Sequence, residues 1–171
     1  MATKKWEYLF SSEFEIRKII ASHYLSSCDT IIDIGAFRKK LPIKHNATLH
    51  SIDPLVSIDN AFHGTFSEWV ASSPYIHGKV GVALLGFDFE GQDDEYKSLV
   101  EFIKKVDIIV VEFAYDFEPS RLQVERLLQD VDLVEHSSIF LELPPVQTEG
   151  FPVFNKRKIH IAERSNNVIC R

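Results

Sequence analysis

Cysteine is scarce in this chain, glycine is modest, and no apolar run is much longer than a strand; each shortage removes a class of protein. Cys28 and Cys170 are the two cysteines, they lie near opposite ends, and neither has a metal-ligand spacing around it. A disulfide framework and a zinc site are therefore not expected, and both residues are read as free thiols. The first residues, Met-Ala-Thr-Lys-Lys, lead into a mixed segment without the apolar stretch of a signal peptide, which predicts a cytoplasmic protein with no membrane partner. The seven glycines do not form the three-glycine fingerprint that seats a pyrophosphate on a helix terminus, which weighs against a nicotinamide-dependent dehydrogenase. Repeats, low-complexity tracts and Gly/Ser-rich linkers are missing too, so residues 1–171 are read as one domain. Basic charge is also short. A formal net charge of -6 disfavours broad attraction to nucleic acid or anionic lipid and suits a small acceptor molecule instead.

What is present is the composition of a globular domain: 171 residues, 45% hydrophobic and 26% charged, enough for one continuous core. Residues Glu13 to Ser27 place Phe14, Ile16, Ile19, Ile20, His23 and Tyr24 on a helical stripe, with Ser11 and Ser12 as candidate caps. Thr30 to Gly35 is a β-branched run closed by glycine, and Thr48 to Ile52 is a second strand ended by Asp53-Pro54. Leu55 to Lys79 is weakly patterned, with Phe66 to Val70 a possible helix. Val80 to Phe89 reads as a central strand carrying Asp88 at its end. Asp93 and Asp94 open a helix over Glu95 to Lys105, Val106 to Phe113 is a further strand, and Pro119 to Gln129 a helix with Leu122, Leu127 and Leu128 toward the core. Asp132 to Leu143 and Lys156 to Glu163 have no helix between them and are expected to pair antiparallel.

Strands alternating with helices predict an α/β fold: a doubly wound, mostly parallel Rossmann-like sheet with helices on both faces and a C-terminal antiparallel hairpin. Ligands of such sheets sit beyond the carboxyl ends of the strands, where strand order reverses. Asp33, Gly35, Asp53 and Asp88 fall at predicted strand ends of this kind. In Asp33-Ile34-Gly35-Ala36-Phe37, glycine lets the backbone approach a ligand and the carboxylate can accept from an ammonium or hydroxyl group. Asp53 can bind both hydroxyls of a ribose. The spacing between Asp33 and Asp53 suits one strand-helix-strand unit between two nucleotide contacts. The alternatives at these positions are a turn glycine, a solvated strand-end aspartate and an aspartate that stabilises the turn before Pro54.

These positions resemble the first two motifs of class I S-adenosylmethionine-dependent methyltransferases. More specifically, Leu84-Leu85-Gly86-Phe87-Asp88-Phe89-Glu90-Gly91, followed by Val106-Asp107-Ile108-Ile109-Val110-Val111-Glu112-Phe113, is similar to the FkbM-type branch, with its Asp-x-Glu-Gly segment and apolar strand ending in glutamate. The resemblance spans residues 29–142 and implies S-adenosylmethionine as cofactor, held by Asp33, Gly35, Ala36, Phe37 and Asp53. It further implies O-methyl transfer to a carbohydrate or small natural-product acceptor. Removal of the acceptor proton needs a base within reach, for which Asp88, Glu90 and His63 are the candidates. Phe37, Lys39, Lys40 and Gly86 depart from the family's usual residues. Those departures support the alternative of a methyltransferase-like domain serving as a non-catalytic scaffold subunit. Arg38-Lys39-Lys40, with Lys44 and His45 nearby, is read as a solvated helix face or a seat for an anionic group. Edge strands, or the segment Leu55 to Lys79, can support a homo-oligomer.

Overall fold

A computed structural model of the chain describes residues 12–36, 40–55, 59–86, 89, 91–142 and 156–164. Helix α1 (Ser12–Tyr24) precedes strands β1 (Thr30–Ile34), β2 (Thr48–Asp53) and β3 (Phe62–His63). Helix α2 (Phe66–Ala71), strand β4 (Val80–Leu85), helix α3 (Asp93–Ile103), strand β5 (Ile108–Ala114) and helix α4 (Glu118–Val131) follow, and strands β6 (Val134–Glu142) and β7 (Lys156–Glu163) complete the described elements. The strands form one seven-stranded sheet in the order β3-β2-β1-β4-β5-β7-β6. Strands β1 to β5 are parallel, whereas β7 lies antiparallel between β5 and β6. The expected doubly wound sheet and terminal antiparallel pair are both present.

Alternation along each strand divides the core into two layers. Ile32, Val82, Ile109 and Val111 face α2, α3 and α4, meeting Phe66, Trp69, Leu99, Ile103, Val124 and Leu127. Ile31, Ala83, Ile108, Val110, Ile159 and Ile161 face the other way, where α1 contributes Ala21 and the turn just after it Leu25. Gly81 makes that contact close: a Cβ there would lie 2.6 Å from Leu25 Cδ2 and 2.7 Å from Cys28 Sγ. Gly81→Ala should therefore cost about 1–3 kcal/mol by overpacking. Urea unfolding will read the loss, and truncating Leu25 to alanine in the same chain should cost less than it does with Gly81 intact.

Several elements differ from the sequence expectation. The apolar stripe of α1 is only half used: Ile20 and Tyr24 pack on the core, but Ile16 and Ile19 are 42% and 60% exposed and His23 faces solvent. Arg17 and Lys18 are buried instead, because carboxylates on the sheet draw them inward. The side chains of Ser11, Ser12 and Phe14 lie outside the described residues. No helix joins β1 to β2 among the described residues, where 40–47 are irregular and Lys44 is exposed, so the expected strand-helix-strand unit is not seen there; Arg38 and Lys39 of the basic segment lie outside the described residues. Strand β4 stops at Leu85, short of Phe89, because Gly86 takes a φ of +73° and turns the chain. In α4, Leu122 is 52% exposed while Val124, Leu127 and Val131 fill the core, since helical spacing from Leu127 selects that face. The weakly patterned segment holds β3 and α2, the latter opened by a reciprocal capping box between Thr65 and Glu68. Cys28 is a buried free thiol, as expected, and Cys170 lies outside the described residues.

Candidate functional site

The reversal of strand order falls at β1, which has β2 on one side and β4 on the other. Strand order reverses there, and in open α/β sheets ligands bind beyond the carboxyl ends of the strands at such a point. Each of these strands ends in a glycine with a φ of +73°, Gly35 after β1 and Gly86 after β4. This left-handed backbone is strained for residues with a side chain. The amides of Gly35 and Ala36 both donate to the Ile52 carbonyl, at 2.9 and 3.2 Å, which ties the first turn to the end of β2.

Asp33 stands on the α1 side of β1 and is 1% exposed. The backbone of Leu41 donates to its carboxylate, while its Oδ2 has no hydrogen-bond partner. Burial pushes the carboxyl up to about 6, against the opposing pull of Lys18. A buried carboxylate oxygen without a partner is costly, and a ligand ammonium or hydroxyl would relieve that cost.

Asp53 ends β2, is 4% exposed, and accepts the Leu55 amide on Oδ1 at 2.8 Å. The turn-stabilising role considered from the sequence is thus real, on one of its two oxygens. His63 is the register neighbour of Asp53 on the short strand β3 and is exposed. Ala36 is buried and its carbonyl accepts from Lys18 Nζ at 3.3 Å. Asp33, Gly35, Ala36, Asp53 and His63 are therefore gathered at the carboxyl ends of three adjacent strands. Phe37, Asp88 and Glu90 lie outside the described residues.

Sequence reasoning missed the cations behind this crevice. Glu112 on β5 is fully buried, and its Oε2 accepts the Gly86 amide at 2.6 Å and Arg17 Nη1 at 3.3 Å. Its Oε1 accepts from Arg157 Nε on β7. Burial alone would raise this carboxyl, but the guanidiniums of Arg157 and Arg17 outweigh it and hold it below the usual carboxylate range. Burial also lowers Arg17, with Glu112 opposing. Arg17 and Lys18 carry no sequence signal, because two adjacent basic residues on a helix ordinarily read as a solvated face.

No protein-family profile matches the chain. A stretch of 115 residues, 65% of the chain, is 26% identical to the pyridoxal 5'-phosphate synthase subunit PdxT of Clostridium botulinum. The match spans about half the length of that curated relative, 56%. Solved structures similar in fold include methyltransferases. The 1,6-didemethyltoxoflavin-N1-methyltransferase of Burkholderia thailandensis, solved with S-adenosylhomocysteine, superposes at a TM-score of 0.61 with 10% identity over 95% of this chain and 83% of that one. The N-methyltransferase NodS of Bradyrhizobium japonicum gives 0.55 with 12% identity over 91% and 98%. The magnesium protoporphyrin IX methyltransferase of Synechocystis, solved with S-adenosylmethionine, gives 0.51 with 12% identity over 88% and 79%. The chain therefore has the Rossmann-like methyltransferase fold: a mostly parallel seven-stranded sheet with helices on both faces and an antiparallel strand pair, β6 and β7, at its C-terminal side.

Proposed function

We propose that this chain is an S-adenosylmethionine-dependent methyltransferase that binds its cofactor at the carboxyl ends of β1 and β2. The observation that carries this reading is the unpartnered Asp33 Oδ2, buried beside the Gly35 turn at the point where strand order reverses. The residues present fit the cofactor. Asp33 accepts from its ammonium, the Gly35–Ala36 backbone lies against it without a side chain in the way, and Asp53 offers its carboxylate to the ribose. Phe37, from the same loop in sequence, completes the set proposed to hold it. Relatives in fold are described with S-adenosylhomocysteine or S-adenosylmethionine, which favours this choice among nucleotides.

The cofactor would supply an electrophilic methyl group. The protein's own part is to hold an acceptor hydroxyl in line with it and to take up the acceptor proton. His63, the register neighbour of Asp53 on β3, and Asp88 and Glu90, which follow Gly86 in sequence, are the bases we assign to that step. The resemblance of residues 82–113 to the FkbM-type branch favours an oxygen acceptor on a carbohydrate or small natural product, handled by a single-domain cytoplasmic protein.

A scaffold subunit without catalysis is the second reading. It is favoured by the missing helix between β1 and β2 among the described residues and by the partial match to a subunit of a larger synthase. Calorimetric titration separates the two. S-adenosylmethionine and S-adenosylhomocysteine should bind in the range of about 1 μM to 1 mM usual for enzyme ligands, with NAD silent. No heat from either at millimolar concentration would favour the scaffold.

A further inference from the structure

The two glycine turns at the crevice are held from one place. Lys18 Nζ donates to the Ala36 carbonyl at 3.3 Å, on the loop after β1. Its neighbour Arg17 donates to Glu112 Oε2 at 3.3 Å, and the same oxygen accepts the Gly86 amide at 2.6 Å, on the loop after β4. Arg17 also lies against Gly86 directly, 3.5 Å from where a Cβ would stand. Both cations are buried, Lys18 at 3% and Arg17 at 8% exposure, and α1 is anchored to the core by Ala21 and by Leu25 in the turn after it. Adjacent residues of one helical turn thus reach the two opposite lips of the crevice. Among the described residues no helix follows β1, and the described part of its loop is held by contacts made from elsewhere.

We infer that α1 is a brace which sets the separation of the Gly35 and Gly86 turns, and that Arg17 and Lys18 are positioning residues for the ligand bound between them. The inference rests on the crevice reading above but is testable without it. A brace predicts local loosening when one arm is cut. In Lys18→Met the apolar stem stays and the donor is lost. Amide hydrogen exchange at Gly35 and Ala36 should accelerate about tenfold or more, the size expected for one charge-assisted hydrogen bond, while core amides such as Val82 and Val110 keep their protection. In Glu112→Gln the acceleration should appear at Gly86 instead. S-adenosylhomocysteine, if bound, should bind Lys18→Met about tenfold more weakly and restore the lost protection on binding. Lys18→Arg, which still donates to Ala36, should recover both.

Unchanged exchange at Gly35 and Ala36 in Lys18→Met would overturn the brace, as would S-adenosylhomocysteine affinity within twofold of the unaltered protein. Absence of S-adenosylhomocysteine binding by the unaltered protein would count against the cofactor reading and leave the exchange result to decide on the brace. If Lys18→Met loses protection across the whole sheet, Glu112→Gln carries the test: loss confined to Gly86 supports the brace, and loss spread evenly over β4 and β5 refutes it.

Discussion

Replacing Glu112 by alanine should lower the unfolding free energy by about 3–5 kcal/mol, because it leaves the buried Arg17 and the partly buried Arg157 guanidiniums without their carboxylate. Glu112 is fully buried and takes three donors: Arg17, Arg157 and the Gly86 amide. A loss of that size is a large part of the roughly 5–15 kcal/mol that ordinarily holds a domain together. Glu112→Gln should cost less, since its amide can still accept one hydrogen bond, although the charge and with it the charge-assisted bond to Gly86 are gone. Removing all three charges together, as Arg17→Met, Glu112→Leu and Arg157→Met, should recover much of the loss, because apolar packing replaces ions that no longer need solvation. Urea unfolding of the three proteins at pH 7 decides the matter. A deficit below about 1 kcal/mol in Glu112→Ala would mean that water reaches the guanidiniums and that they behave as a surface pair does.

Asp33 produces the opposite effect: Asp33→Asn should make the protein more stable near pH 7.5. Burial raises the carboxyl from 3.8 to about 6 in the folded chain. The folded state therefore binds the proton more tightly than the unfolded state, and stability falls as pH rises through the window between those values. A shift of roughly two units corresponds to about 3 kcal/mol lost on going from below the unfolded value to above the folded one. Asparagine does not titrate, so the stability difference between the two proteins should change by the larger part of that amount between pH 4.5 and 7.5. A flat difference across the range would show that Asp33 is solvated. Ligand binding should run against this trend. If the ammonium of S-adenosylhomocysteine sits on Asp33, its affinity weakens below about pH 6 as the carboxyl protonates, and in Asp33→Asn it is weak at every pH. The variant would then be the more stable protein and the poorer binder, the expected signature of a site that holds strain for function.

Much of this architecture was legible from local pattern. Thr30 to Ile34 and Ile108 to Ala114 are β-branched or apolar runs that can only be buried strands, and the helix between β4 and β5 is signalled by Asp93 and Asp94 at one end and Lys104 and Lys105 beyond the other. The antiparallel pairing of β6 and β7 followed from the absence of a helix between them. Gly35 marked a turn because it ends an apolar run. The candidate residues were partly legible for the same reason: Asp33 and Asp53 end strands, and strand ends are where such sheets meet ligands. The extent of β4 was not, because Phe87 and Phe89 continue its apolar pattern past the glycine that turns the chain.

The face that α1 turns to the sheet was decided otherwise. Its apolar spacing pointed to Ile16 and Ile19, yet those residues are exposed and Arg17 and Lys18 are buried. Periodicity counts what a helix can offer to oil; it is blind to a carboxylate waiting on another strand. Glu112 lies 95 residues from Arg17 in sequence, and the attraction between them exists only once β5 has been placed beside β4. The sequence by itself determined which segments become strands and helices, because those choices follow from neighbours a few residues apart. Only the tertiary structure decided which charges are buried and which loops they hold, because ion pairing depends on distances that the fold alone creates.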